Sequence, residues 1–151
     1  MKLEDLVPPL ELCRLIPAGE FENTAFIWDK TTTIGFWDGA DKDGNHIGGF
    51  GKIPQKKYRL RQNYSERCRK HIKEQDIELD IYPAPTLQEI LEELPKDDAE
   101  NDLTMNHSLH EKFGGYHIFY RGSLKLHCFD KNAVAAALKL WLKMKGIENG
   151  E

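Results

Sequence analysis

Apolar residues recur at helical spacing in two stretches of the second half of the chain. In YPAPTLQEILEELP, Leu87, Ile90, Leu91 and Leu94 fall at i, i+3, i+4 and i+7 and form one stripe, while Gln88, Glu89, Glu92 and Glu93 turn to water. Pro83 and Pro85 hold the preceding backbone extended, Thr86 offers an N-cap hydroxyl with Glu89 three residues on, and Pro95 stops the helix. A second helix is expected from an N-cap at Asp130 through KNAVAAALKLWLKMK to a C-cap at Gly146. Ala133, Ala137, Leu140, Trp141 and Met144 line one face of it, and Val134, Leu138 and Leu142 widen that face. Lys139, Lys143 and Lys145 fall late, where the helix dipole favours cations, and three consecutive alanines predict close packing on a sheet.

Between these helices the pattern changes from a period near 3.6 to a period of 2. YHIFYRG and SLKLHCF alternate and are joined at Gly122-Ser123, which predicts an antiparallel hairpin. His117, Phe119 and Arg121 then oppose Tyr116, Ile118 and Tyr120; Leu124, Leu126 and Cys128 oppose Lys125, His127 and Phe129. Leu103, Met105, His107 and Leu109 alternate too and predict a third strand.

The first half is less regular. A short apolar helix is expected across LVPPLELCRLIP, with Pro8 or Pro9 in its first turn and Pro17 ending it. Residues Ala25 to Trp28 and Thr31 to Trp37 read as a hairpin turning at Asp29-Lys30, which would make Trp28, Phe36 and Trp37 core or sheet-face residues. DGADKDGNHIGGFGKI reads as a glycine-rich hairpin loop between strands near 33–37 and 46–51. It fails as an EF-hand, since a start at Asp41 puts Gly44 at position 4 and Lys52 at position 12, and as a phosphate loop, which would need glycine at His46. The fold class is α+β: a small antiparallel sheet packed by helices in one domain of residues 1–151. Residues 1–80 hold a helix, hairpins and the basic segment, and 82–146 form an α-β-β(-β)-α unit.

Composition adds limits. A 151-residue chain with 40% hydrophobic and 30% charged residues can bury a full core. No apolar run approaches 18 residues and MKLEDLVPPL lacks the basic, apolar start of a signal peptide, so a cytoplasmic protein without membrane contact is expected. Cys13, Cys68 and Cys128 are odd in number and widely spaced, which argues for reduced thiols.

The net charge of −4 conceals a sorting. From Lys52 to Lys73 there are nine Lys or Arg and one acid; from Glu74 to Asp102 there are eleven acids and one base. In the basic segment, a strand from Lys57 to Arg61 would put Lys57, Arg59 and Arg61 on one face, opposite Tyr58 and Leu60. Lys56, Lys57, Tyr58, Arg59, Arg61, Tyr64, Arg67, Arg69 and Lys70 are therefore the candidate anion- or partner-binding residues. The competing reading is that these bases pair with the acidic stretch, in contacts worth only about 0–1 kcal/mol each.

Signals for chemistry are thin. Cys68/His71 and His107/His110 have ligand-like separations but lack the turn-bracketed knuckles of a structural zinc site, so neither metal nor cofactor is expected. Cys68, flanked by Arg67, Arg69 and Lys70, is the thiol placed for greatest reactivity, while Cys13 and Cys128 read as core thiols; no catalytic residue is assigned.

LVPPLELCRLIPAGEF at 6–21, YPAPTLQEILEEL at 82–94 and AAALKLWLKMKGIE at 135–148 resemble short uncharacterised proteins of gut-bacterial genomes and prophages. That likeness implies an accessory protein of a mobile element and carries over no catalytic residue. In order of elements, residues 82–146 are also similar to the double-stranded-RNA-binding domain, but Asp130, Lys131 and Asn132 stand where that family has its phosphate-gripping lysines. The expectation is a non-enzymatic protein that binds a macromolecule, a protein partner or itself, through the basic segment. A nucleic-acid binder, with Tyr58 and Tyr64 stacking on bases, is the alternative, and a small metal- or thiol-dependent enzyme the third reading.

Overall fold

In a computed structural model, residues 2–95, 97–98, 101–108, 114–121 and 126–147 are described. A 3-10 turn at Leu3–Leu6 leads to α1 (Leu10–Cys13), then β1 (Phe26–Asp29), β2 (Thr33–Ala40), β3 (His46–Ile53), β4 (Arg59–Gln62), α2 (Glu66–Glu74), β5 (Ile81–Ala84) and α3 (Leu87–Glu93). The second half adds β6 (Asp97–Asp98), β7 (Asn101–Ser108), β8 (Gly115–Tyr120), β9 (His127–Asp130) and α4 (Ala133–Met144). The strands form three antiparallel sheets, ordered β4-β1-β5, β2-β3 and β6-β7-β8-β9, so the chain is α+β.

The second half follows the pattern in its sequence. Ile118 pairs with Met105 and Cys128, and these side chains with Leu103 and Tyr120 face inward, leaving His117, His127 and Phe129 outward. Over that inner face lies α4, whose residues Val134 to Leu138 and Leu140 to Leu142 are buried. Ala135, Ala136 and Ala137 let the backbone approach the strands closely, and Trp141 meets Phe21 edge-on at 4.8 Å. The helix starts two residues later than the Asp130 cap expected: Asn132 Oδ1 accepts from the N–H groups of Val134 and Ala135, and Asp130 instead accepts from the Asn132 N–H and pairs with Lys139 at 3.0 Å. Gly146, at φ +76°, follows the last turn as expected.

Thr86 and Glu89 form the expected capping box on α3, and the second carboxylate oxygen of Glu89 also accepts from the Ala25 N–H, tying α3 to the start of β1. Of the predicted stripe, Ile90 and Leu94 are buried whereas Leu91 is exposed. Helix α3 packs on α4, and the Tyr120 hydroxyl donates to the Pro95 carbonyl at 2.6 Å, anchoring the exit of α3 to the sheet. The turn at Gly122-Ser123 and residues Leu109 and Leu124 lie outside the described residues.

The first half departs from the local reading. Strand β1 does not form a hairpin with β2; it is the centre of a sheet, flanked by β4 (Trp28 opposite Leu60) and by β5 (Trp28 opposite Tyr82). The reason is long-range: Phe26, Trp28, Leu60, Tyr82 and Ala84 share one face and close over the core with α1 and α4, a burial that a β1–β2 hairpin could not supply. Strands β2 and β3 pair with each other through eight rungs, from Thr33–Ile53 to Ala40–His46.

Candidate functional site

The basic segment splits into two elements on the side of the central sheet away from the core. Along β4, Arg59 and Arg61 point outward with Asp29 while Leu60 faces the core, as the alternation implied, although the strand begins at Arg59 and leaves Lys57 outside it. Helix α2 was not expected; its apolar content is only Cys68 and Ile72, too little for a stripe, but Ser65 caps it by accepting from the Cys68 N–H. Ser65 followed by Glu66 was the signal that could have found it.

The candidate residues divide by what they touch. Lys56, Lys57, Arg59, Arg67 and Lys70 are exposed, and none of them joins a carboxylate in an ion pair among the described residues. Arg69 is half-buried and donates to Asn63 Oδ1 at 2.7 Å. Arg61 lies 4.0 Å over the Tyr64 ring and 3.7 Å from Asp29, whose carboxylate is almost fully buried. Asp29 in turn accepts from the Thr31 N–H at 2.9 Å and from the Tyr64 hydroxyl at 2.6 Å. Burial, then that hydrogen bond, pushes the Tyr64 phenol up to about 12. Tyr58 donates to Asp80, which raises its phenol to about 12, and its ring sits between Tyr82, Arg14 and Lys30. Both tyrosines are thus internal fasteners of the segment.

Among the described residues, no acid of the stretch from Glu74 forms an ion pair with these bases. Asp80 accepts from Tyr58, and Lys52 donates to the Asp76 carbonyl at 3.4 Å. Between α2 and residues 77–79 lies a cleft of about 460 Å³, walled by Ile77, Leu79 and the stems of Arg69, Lys70 and Lys73.

Next to this surface stands the β2–β3 hairpin, whose residues from Phe36 to Gly48 are exposed on both faces apart from partial cover at Asp41. Phe36 and Trp37, expected in a core or on a sheet face, lie on β2 and are 66% and 46% exposed, and Phe50 is 77% exposed. Phe36 and Phe50 are directly opposite on one face; Trp37 lies on the other, its indole 3.2 Å from where a Cβ on Gly49 would stand. Glycines occupy five positions of the two strands, so the hairpin has no apolar face wide enough to pack on the body and its aromatic rings seat over backbone instead. Asp38 pairs with His46 at 2.8 Å, and Asp41 closes the turn by accepting from the N–H groups of Asn45 and Asp43, the first of which chiefly lowers its pKa. The arm is joined to β4 through Gln55, which donates to Thr33 Oγ1 at 3.1 Å and accepts from Arg59 at 3.4 Å.

The other chemical signals separate in space. Cys13 is fully buried, its thiol donating to the Pro8 carbonyl and pushed up to about 12 by burial; Cys128 is buried in the sheet face under α4, and Cys68 is exposed on α2. Among the described residues no group of three or more His, Cys, Asp or Glu is placed to hold a metal ion; His110 lies outside them. On the outer sheet face, burial and the neighbouring His127 lower the pKa of His117. No helix of the described residues is long and apolar enough to cross a membrane. Compared with known protein families, curated proteins and solved structures, the chain matches none.

Proposed function

We propose that the chain is a non-catalytic binding protein whose β4–α2 surface takes an acidic macromolecular partner. The observation that carries this reading is the exposed set Lys56, Lys57, Arg59, Arg67 and Lys70, left without carboxylate partners among the described residues although eleven acids follow it in sequence. Clustered cations of this kind steer an oppositely charged partner and fix its orientation. A protein suits the surface better than a nucleic acid, because the two tyrosines that would stack on bases are held by Asp80 and Asp29.

Fluorescence anisotropy tests the proposal, with a labelled polyglutamate peptide and with single- and double-stranded DNA and RNA of matched charge, each at two salt concentrations. Binding is expected to be tightest for the peptide and to fall when Arg59→Glu, Arg67→Glu and Lys70→Glu are combined. Absence of binding to any polyanion, or equal binding by the triple variant, overturns it. Tighter nucleic-acid binding, with log Kd following log salt at a slope of roughly 0.7–0.9 per phosphate contacted, assigns the surface to nucleic acid instead.

A further inference from the structure

We propose that the acidic partner is a second copy of the chain, whose β2–β3 arm docks in the cleft between α2 and residues 77–79. The inference rests on the reading of the basic surface given above and names its occupant. The arm carries aromatic rings between acids: Phe36 and Phe50 project from one face with Asp38 one row further out, and the turn adds Asp41 and Asp43 against a single Lys42. The cleft carries the complement, an apolar wall of Ile77 and Leu79 with the cations Lys70 and Lys73 among its lining residues and, among the described residues, Glu78 as the one acid lining it. Ring into wall and carboxylate onto ammonium satisfies both halves, whereas phosphates laid along the arm would meet three carboxylates.

Its own cleft is not filled by the arm, since Phe50 is 77% and Phe36 66% exposed. The arm's root is held beside that cleft by Lys52 on the Asp76 carbonyl. Each copy has one arm and one cleft, so reciprocal docking closes a two-fold dimer with two equivalent contacts. Burying the Ile34, Phe36 and Phe50 face, exposed now to 39–77%, removes on the order of 300–400 Å² per arm, taking about 150–250 Å² for a whole aromatic side chain. One arm and one cleft per copy then bring the buried area close to the roughly 800 Å² per partner of a stable interface. An exposed aromatic set of that size on a monomer marks such a contact.

Sedimentation velocity of the full chain over a wide concentration range tests this. The wild type is expected to dimerise, and Phe50→Ser, at a position too exposed to disturb folding, to raise the dimer Kd by roughly tenfold to a hundredfold. Charge reversal separates docking from mere stickiness: Asp38→Lys with Asp43→Lys weakens association, Lys70→Glu with Lys73→Glu weakens it equally, and the chain carrying all four associates again. A wild type that stays monomeric, or a dimer that ignores both reversals, overturns the proposal. If that monomer still binds polyglutamate in a salt-dependent way, the basic surface stands and only its assignment to a second copy falls.

Discussion

Removing the Asp29 carboxylate should unfasten the basic segment from the central strand, and the cost can be worked from its contacts. In Asp29→Ala the Tyr64 hydroxyl loses a 2.6 Å acceptor and the Thr31 N–H, in a residue 2% exposed, loses one at 2.9 Å. Each is a hydrogen bond to a charged group, worth about 1.5–3 kcal/mol, and the buried N–H left unpaired accounts for much of its share. Arg61, half-exposed and 3.7 Å away, adds less than about 1 kcal/mol. The sum is about 3–7 kcal/mol, a large part of the roughly 5–15 kcal/mol that holds a domain together. At about 2–4 °C per kcal/mol for this chain length, the melting temperature should fall by about 6–28 °C. Urea denaturation of Asp29→Ala, Tyr64→Phe and the double variant should show coupling of about 1 kcal/mol or more between the two residues. A loss under about 1 kcal/mol, or additive single effects, would refute the view that Asp29 organises the segment.

Other expectations follow from the same structure. Tyr58 and Tyr64 both have phenols raised from 10.0 to about 12 in the folded state, so their contribution to stability is complete below pH 10 and is lost as pH rises from there through about 12; the urea midpoint should drop in that window, and less so in the Tyr58→Phe, Tyr64→Phe double variant. Gly115→Ala should cost about 2–4 kcal/mol in thermal unfolding, because at φ +146° its new Cβ would stand 2.7 Å from the Asp130 carbonyl oxygen and 3.0 Å from Lys131 Cα, both backbone. Asn132→Ala should cost about 1 kcal/mol in the same assay and Asn132→Asp much less, since the aspartate keeps the capping oxygen.

Elements held by local rules could be read from the sequence, and those held by distant partners could not. The Thr86/Glu89 box, the period of 2 through Met105, Ile118 and Cys128, and the alanine-rich face of α4 each appear within a few residues and each formed as read. Strand β1 was paired wrongly because its real neighbours lie more than 30 residues away, at Leu60 and Tyr82, and loop-closing partners leave no trace in a short window. For the binding surface, the alternation of Arg59 and Arg61 against Leu60 was visible, but the fastening of Tyr58 by Asp80 and of Tyr64 by Asp29 was not. Aromatic content left open whether Phe36 and Trp37 were core or sheet-face residues, and the glycines opposite them decide for the exposed sheet face. Gly48 gives Phe36 and Gly49 gives Trp37 backbone to lie on and no side chain to be buried under.

The central claim is that the cations of β4 and α2 meet acids from outside the chain and not the chain's own acidic stretch. Zero-length carbodiimide crosslinking of a mixture of isotopically light and heavy protein, read by mass spectrometry, addresses it directly. The account predicts mixed-isotope links joining Lys70 or Lys73 of one copy to Asp38, Asp41 or Asp43 of the other. Links confined to single copies, and running from Lys56, Lys57 or Lys70 to the acids between Glu74 and Glu93, would contradict it.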